Sequence, residues 1–107
     1  MSYRAWLTAR ALPGRRDELV TAFVTRRVIE ECREAIPGFI HGELLLSEDD
    51  PDAVCVTVEW QDRQAFDAWQ TSPVRAAQGA GLVHLLHALP VSQLLRSQHV
   101  VHGVATE

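Results

Sequence analysis

Apolar and polar residues alternate at the start of the chain. Tyr3, Ala5, Leu7, Ala9 and Ala11 fall on one side and Arg4, Trp6, Thr8, Arg10 and Leu12 on the other, which predicts a strand over 3–12 with one small, apolar face. Pro13-Gly14 ends it. The period then changes. Residues 15–35 contain neither Gly nor Pro and carry Leu19, Val20, Phe23, Val24, Val28, Cys32 and Ala35 at helical spacing. With Asp17 and Glu18 in the first turn and Arg33 in the last, this predicts one long amphipathic helix. Pro37-Gly38 stops it. Residues 39–47 and 53–60 read as strands around an acidic turn, 47–52, a connection short enough for an antiparallel hairpin. Asp62 is positioned to cap a helix carrying Ala65, Phe66 and Trp69. Ser72-Pro73 opens another, with Ser72 as N-cap and Pro73 in the first turn, running through Val74 and Ala77 toward Leu82–Leu86. Residues 90–101 read as a last strand and the final residues as a loose tail.

The order is β-α-β-β-α-β, a ferredoxin-like α+β fold: an antiparallel sheet with helices on one face. The chain of 107 residues reads as a single domain, 1–107, with its core at about 3–101. The helix-facing side of the sheet is expected to carry Ala5, Leu7, Ala9, Ile40, Gly42, Leu44, Val54, Val56 and Val58. The other side collects Trp6, Phe39 and Leu45 together with Arg10, His41, Glu43 and Glu59. That mixture is too apolar for open surface and too charged for a monomer core, so it predicts burial against a second copy, a homodimer.

Composition narrows the function classes. The net charge of −4 and the lack of a basic stripe argue against nucleic acid. No apolar run approaches a membrane span, and the start of the chain lacks the apolar segment of a secretory signal, so the expected location is the cytoplasm. All 10 basic residues are Arg, which excludes Schiff-base chemistry on lysine, and the chain contains no Asn. Cys32 and Cys55 read as small buried hydrophobes, and two thiols alone do not make a zinc site.

Several short motifs occur in a characteristic order. Pro13-Gly14 follows the first strand and Pro37-Gly38-Phe39 the long helix. Glu59-Trp60 is followed by Ala65-Phe66-Asp67-Ala68-Trp69 and then Ser72-Pro73. Together they resemble the antibiotic biosynthesis monooxygenase family over roughly residues 3–100. The resemblance implies a ferredoxin-like protomer and a homodimer forming a dimeric α+β barrel, with a pocket between the sheet and the helices of each protomer. It also implies an oxidoreductase. The family includes cofactor-independent oxygenases that turn anthrone-type polyketides into quinones, heme-degrading oxygenases, and enzymes of small quinones. The heme-degrading pattern is poorly matched. Trp69 matches its Trp, but its strand-one Asn falls near Leu7 or Thr8 and its iron-binding His on Gln78 or Gly79. The anthrone-oxygenase pattern is matched at Trp60, while its pocket Asn falls near Val56 and its pocket Tyr near Phe66.

These readings give an expectation: a monooxygenase acting with O₂, and without cofactor or metal, on a small aromatic, polyketide-type or quinol metabolite. Trp69, Phe66, Leu7, Thr8, Val56, Trp60 and Ser72 would line the substrate site. His84 would be the base and Gln78 a hydrogen-bond donor to the substrate oxygen. Arg75 is a candidate clamp for a phenolate or carboxylate. Core packing is the competing reading for Trp69 and Phe66. For His84 and His87, on one predicted helical face, a metal pair would lack further ligands. The alternative functions are a non-catalytic ligand-binding or pathway-accessory protein and a polyketide cyclase or isomerase on the same scaffold.

Overall fold

A computed structural model describes residues 2–87 and 95–105. The elements run β1 (Ser2–Ala11), α1 (Arg16–Thr25), α2 (Val28–Ala35), β2 (Phe39–Leu46), β3 (Ala53–Trp60), α3 (Arg63–Gln70), α4 (Pro73–Leu82), a single 3₁₀ turn (Val83–Leu85), β4 (Leu86–His87) and β5 (Leu95–Val100). The sheet is antiparallel and open, ordered β2-β3-β1-β4, with β5 also paired to β1. The predicted final strand is present as Leu95–Val100; its expected start, 90–94, lies outside the described residues, as does the end of the predicted tail, 106–107.

The β1–β3 register pairs Arg4 with Glu59, Trp6 with Thr57 and Thr8 with Cys55, so the polar halves of both strands share the uncovered face. His41, Glu43 and Leu45 of β2 join them opposite Glu59, Thr57 and Cys55. The expected division of the sheet holds at these positions and fails at one end of β2. Phe39 pairs with Trp60 and His41 with Glu59, which leaves Ile40 as the extra residue of a bulge. The slip moves Phe39 to the helix-covered face, where its ring meets Trp60 edge-on at 5.9 Å. Ile40, expected against the helices, is 52% exposed.

The single helix predicted over 15–35 is two helices. Arg27 adopts a left-handed backbone (φ 55°) between α1 and α2, unusual for a residue with a Cβ. The break redirects the second half, so Val28 and Cys32 are buried while Val24, on the predicted apolar stripe, is 61% exposed. Arg27 is tied forward to Glu34 at 2.8 Å. At the other end, the helix expected to run toward Leu86 stops at Leu82 and passes through the 3₁₀ turn into β4, so His84 and His87 do not share a helical face.

Local capping follows the sequence. The Asp62 carboxylate accepts from the Ala65 N–H at 2.9 Å and the Ser72 hydroxyl from the Val74 N–H at 3.2 Å. Gly38 allows α3 to sit close to the sheet: a Cβ there would collide with the Ala65 Cβ. The β2–β3 turn is held by two arginines. Arg10 pairs with Asp50 through Nε at 2.8 Å and Nη2 at 3.3 Å, and Arg16 donates to the carbonyls of Ser47, Asp50 and Ala53. Beneath the helices, Tyr3, Ala5, Cys32, Ile36, Val58, Trp60 and Phe66 form one core cluster and Ala11, Leu19, Val54 and Leu85 another.

Candidate active site

The two core clusters leave space between them. A cavity of about 270 Å³ lies between the sheet and the helices. Leu7 and Ala9 of β1 and Val54, Val56 and Val58 of β3 form its floor. Leu19 and Phe23 of α1 and Val28, Ile29 and Cys32 of α2 form one wall. Trp69 of α3 and Arg75, Gln78 and Leu82 of α4 close it. The alternation of β1 accounts for the volume, since Ala9 sits where a larger side chain would fill it. A smaller chamber of about 60 Å³ adjoins it, lined by Ala5, Trp60, Phe66 and Gln70 and sharing Leu7, Val56, Val58, Trp69 and Arg75 with the first.

Five aromatic rings organise this end. Phe39 meets Trp60, Trp60 lies 6.4 Å from Trp69, and Phe66 packs on Tyr3 at 5.2 Å between ring centroids. Trp60 is completely buried, yet its indole N–H has no hydrogen-bond partner. A donor in that condition costs stability.

Polar groups are few. Gln78 is 6% exposed, and its amide nitrogen donates to the Val28 carbonyl at 3.1 Å and to the Glu31 carboxylate at 3.0 Å. Those partners can only accept, so the donors of Gln78 are spent. The side chain expected to donate to a substrate oxygen presents a carbonyl oxygen instead. Burial pushes the Cys32 thiol up to about 12, leaving it neutral and a poor nucleophile. Arg75 is half-buried, borders both chambers, and makes no ion pair or side-chain hydrogen bond among the described residues.

Of the residues proposed from sequence, Leu7, Val56, Trp69 and Gln78 line the larger cavity, and Trp60 and Phe66 the smaller one. The structure separates three others from both. Thr8 is exposed on the opposite face of the sheet, opposite Cys55, because alternation turns it away from Leu7. Ser72 is occupied as the N-cap of α4. His84 is exposed on the 3₁₀ turn, because α4 ends one turn sooner than its apolar spacing suggests. Phe23, Ile29 and Cys32 border the cavity and were not expected at the site; Phe23 and Cys32 lie on the helical period of 15–35, which also fits ordinary core, and Ile29 was not part of that stripe.

The site does not suit heme. The position of the expected iron ligand holds Gln78, whose amide is already bound to α2, and no imidazole borders either chamber among the described residues. No group of three or more His, Cys, Asp or Glu side chains able to hold a metal occurs among the described residues. No described helix is long and apolar enough to cross a membrane.

An open antiparallel sheet covered on one side by helices, with an apolar chamber between the layers, defines a ferredoxin-like α+β protein with an internal small-molecule-sized site. The profile of the antibiotic biosynthesis monooxygenase family matches residues 3–78, and the chain belongs to that family. No curated protein matches it. Among solved structures it is similar to a protein from Chloroflexus aurantiacus J-10-fl described as an antibiotic biosynthesis monooxygenase, with 25% identity, 98% of each chain covered and a TM-score of 0.71. It is also similar to SnoaB, a cofactor-independent oxygenase from Streptomyces nogalater (16% identity, 99% of this chain and 100% of the other, TM-score 0.73). A third, from Caulobacter crescentus CB15 and described as an antibiotic biosynthesis monooxygenase, shares 16% identity over 94% of this chain and 91% of the other, with a TM-score of 0.78. The last two likenesses establish the fold.

Proposed function

We propose that the chain is one domain of a cytoplasmic homodimer that oxidises a small aromatic, polyketide-type or quinol metabolite with O₂ and without a prosthetic group. The observation that carries this reading is the pair of adjoining chambers, apolar and aromatic-lined.

The chemistry asks little of the protein. An anthrone-type CH₂ beside a carbonyl loses a proton to solvent and becomes an enolate. Its carbon donates electrons to O₂, and a C–O bond forms to give a peroxide anion, which takes a proton from water. The hydroperoxide then loses water: the O–O bond breaks, one oxygen stays as the new C=O, and the other leaves with two hydrogens. The Leu7, Val56 and Trp69 surfaces hold the ring flat and exclude bulk water. No protein base is required if the substrate is already ionised.

Oxygen uptake with an anthrone or a hydroquinone, with the quinone identified by absorbance and mass, tests this. His84→Ala is expected to retain the wild-type rate, because that side chain lies outside both chambers. Absence of uptake over a panel of such substrates would overturn the oxygenase reading. Micromolar binding without turnover would instead support the accessory ligand-binding protein. That reading is favoured by the lack of a carboxylate or imidazole at either chamber among the described residues.

A further inference from the structure

Both chambers are bordered mainly by carbon, and Arg75 is the one charged side chain among their described lining residues. An arginine half-withdrawn from water normally has its five N–H groups matched by a carboxylate or by carbonyls. The other half-buried arginines among the described residues follow this: Arg4 holds Glu59, Arg10 holds Asp50 and Arg16 holds three carbonyls. Arg75 lacks such a partner among the described residues.

Its polar neighbour narrows the ligand further. Arg75 and Gln78 are three apart on α4, so they lie on one helical face with Cβ atoms roughly 5–6 Å apart. The contacts of Gln78 with Val28 and Glu31 leave it only an acceptor oxygen, which repels an oxyanion. A charged ligand oxygen is therefore driven to Arg75, and the uncharged ring is left for Val56 and Trp69.

We infer that Arg75 is a specificity-determining residue that selects a planar aromatic anion, carrying a carboxylate or an ionised phenol or enol, over its uncharged analogue. This rests on the proposed site and deepens it: the enolate form of an oxygenase substrate would be bound in preference to the neutral tautomer. Arginine supplies two parallel donors to such a group, and the low-polarity surroundings strengthen the pairing.

The test is calorimetric titration of the full chain with 2-naphthoate and with the isosteric, uncharged 2-naphthamide. Wild type is expected to prefer naphthoate by at least about tenfold, the range of a charge-assisted hydrogen bond. Arg75→Gln should remove that preference while leaving naphthamide affinity within about twofold, and Arg75→Lys should retain part of it, because it keeps the charge but loses the planar fork. Thermal melts of both variants separate loss of recognition from loss of fold. Equal wild-type affinities, a preference that survives Arg75→Gln, or no binding of either probe would overturn the inference. Oxygen uptake is scored separately: a preserved anion preference with no turnover on any substrate sinks the oxygenase reading alone.

Discussion

The two faces of this sheet are built from the same strands and differ in nearly every physical respect. Beneath the helices, Ala9, Val54, Val56 and Val58 surround empty space, and the buried Trp60 N–H is unpaired. On the other side polar groups are abundant, and several are matched within the chain. Arg4 pairs with Glu59 at 3.2 Å, its guanidinium lies 5.8 Å from the Trp6 ring, and the Trp6 indole donates to Gln98 at 3.1 Å. The expectation that these charges wait for a second subunit is thus modified: Arg4 and Glu59 already satisfy each other, and Trp6 and Leu45 are the apolar surface left for an interface. One face leaves its volume unused, which suits a guest; the other leaves apolar area among its polar groups, which suits another protein.

Paired tryptophan substitutions separate the faces most sharply. Trp60→Ala should destabilise by about 3–5 kcal/mol, the range for a buried aromatic truncated in a core. Trp6→Ala should cost less than about 1.5 kcal/mol in the folded subunit, because the ring is half-exposed. Urea unfolding of both variants measures the contrast, and comparable losses would erase it. Next in size, Leu45→Glu on the open face should weaken self-association by at least about tenfold in sedimentation equilibrium, since it sets a charge in the proposed contact, while leaving naphthoate affinity unchanged.

A smaller effect is expected at Thr57. It is 2% exposed on the face opposite the cavity, and its hydroxyl has no partner. Thr57→Val should raise stability by about 1 kcal/mol, because an unsatisfied buried hydroxyl is removed. A loss would mean that the hydroxyl bonds across the subunit contact. The smallest effect is pH-dependent. The hydrogen bond from Arg10 and the backbone N–H of Asp52 hold the Asp50 carboxyl below its ordinary range. Its contribution is therefore present above the unfolded value near ~3.9 and fades as pH falls through the lower folded value. Asp50→Asn should be less stable than wild type at pH 7, with the gap closing in acid; a gap that persists at pH 2 would assign the effect to hydrogen bonding rather than charge.

Much of the architecture was legible because it depends on local rules. β3 begins at Ala53 and ends at Trp60 as its β-branched run indicates, and Asp62 and Ser72 cap as short polar residues before helical runs do. The features that escaped are those set by tertiary fit. Nothing local marks Arg27 as left-handed. The bulge at Ile40 has no Gly or Pro to announce it, and a one-residue slip suffices to send Phe39 to the covered face. At the site, alternation separated Leu7 from Thr8, and the early end of α4 carried His84 to the surface. Gln78 was found by its position, but the direction of its hydrogen bonds depended on Val28 and Glu31, far away in sequence.

The central claim is that a planar aromatic guest enters between the sheet and the helices. Methyl and indole NMR of the protein titrated with 2-naphthoate tests it most directly. The account predicts ring-current shifts at the Val54, Val56 and Val58 methyls and the Trp69 indole, with the Leu45 methyls and the Trp6 indole unmoved. Shifts confined to Leu45 and Trp6 would contradict it.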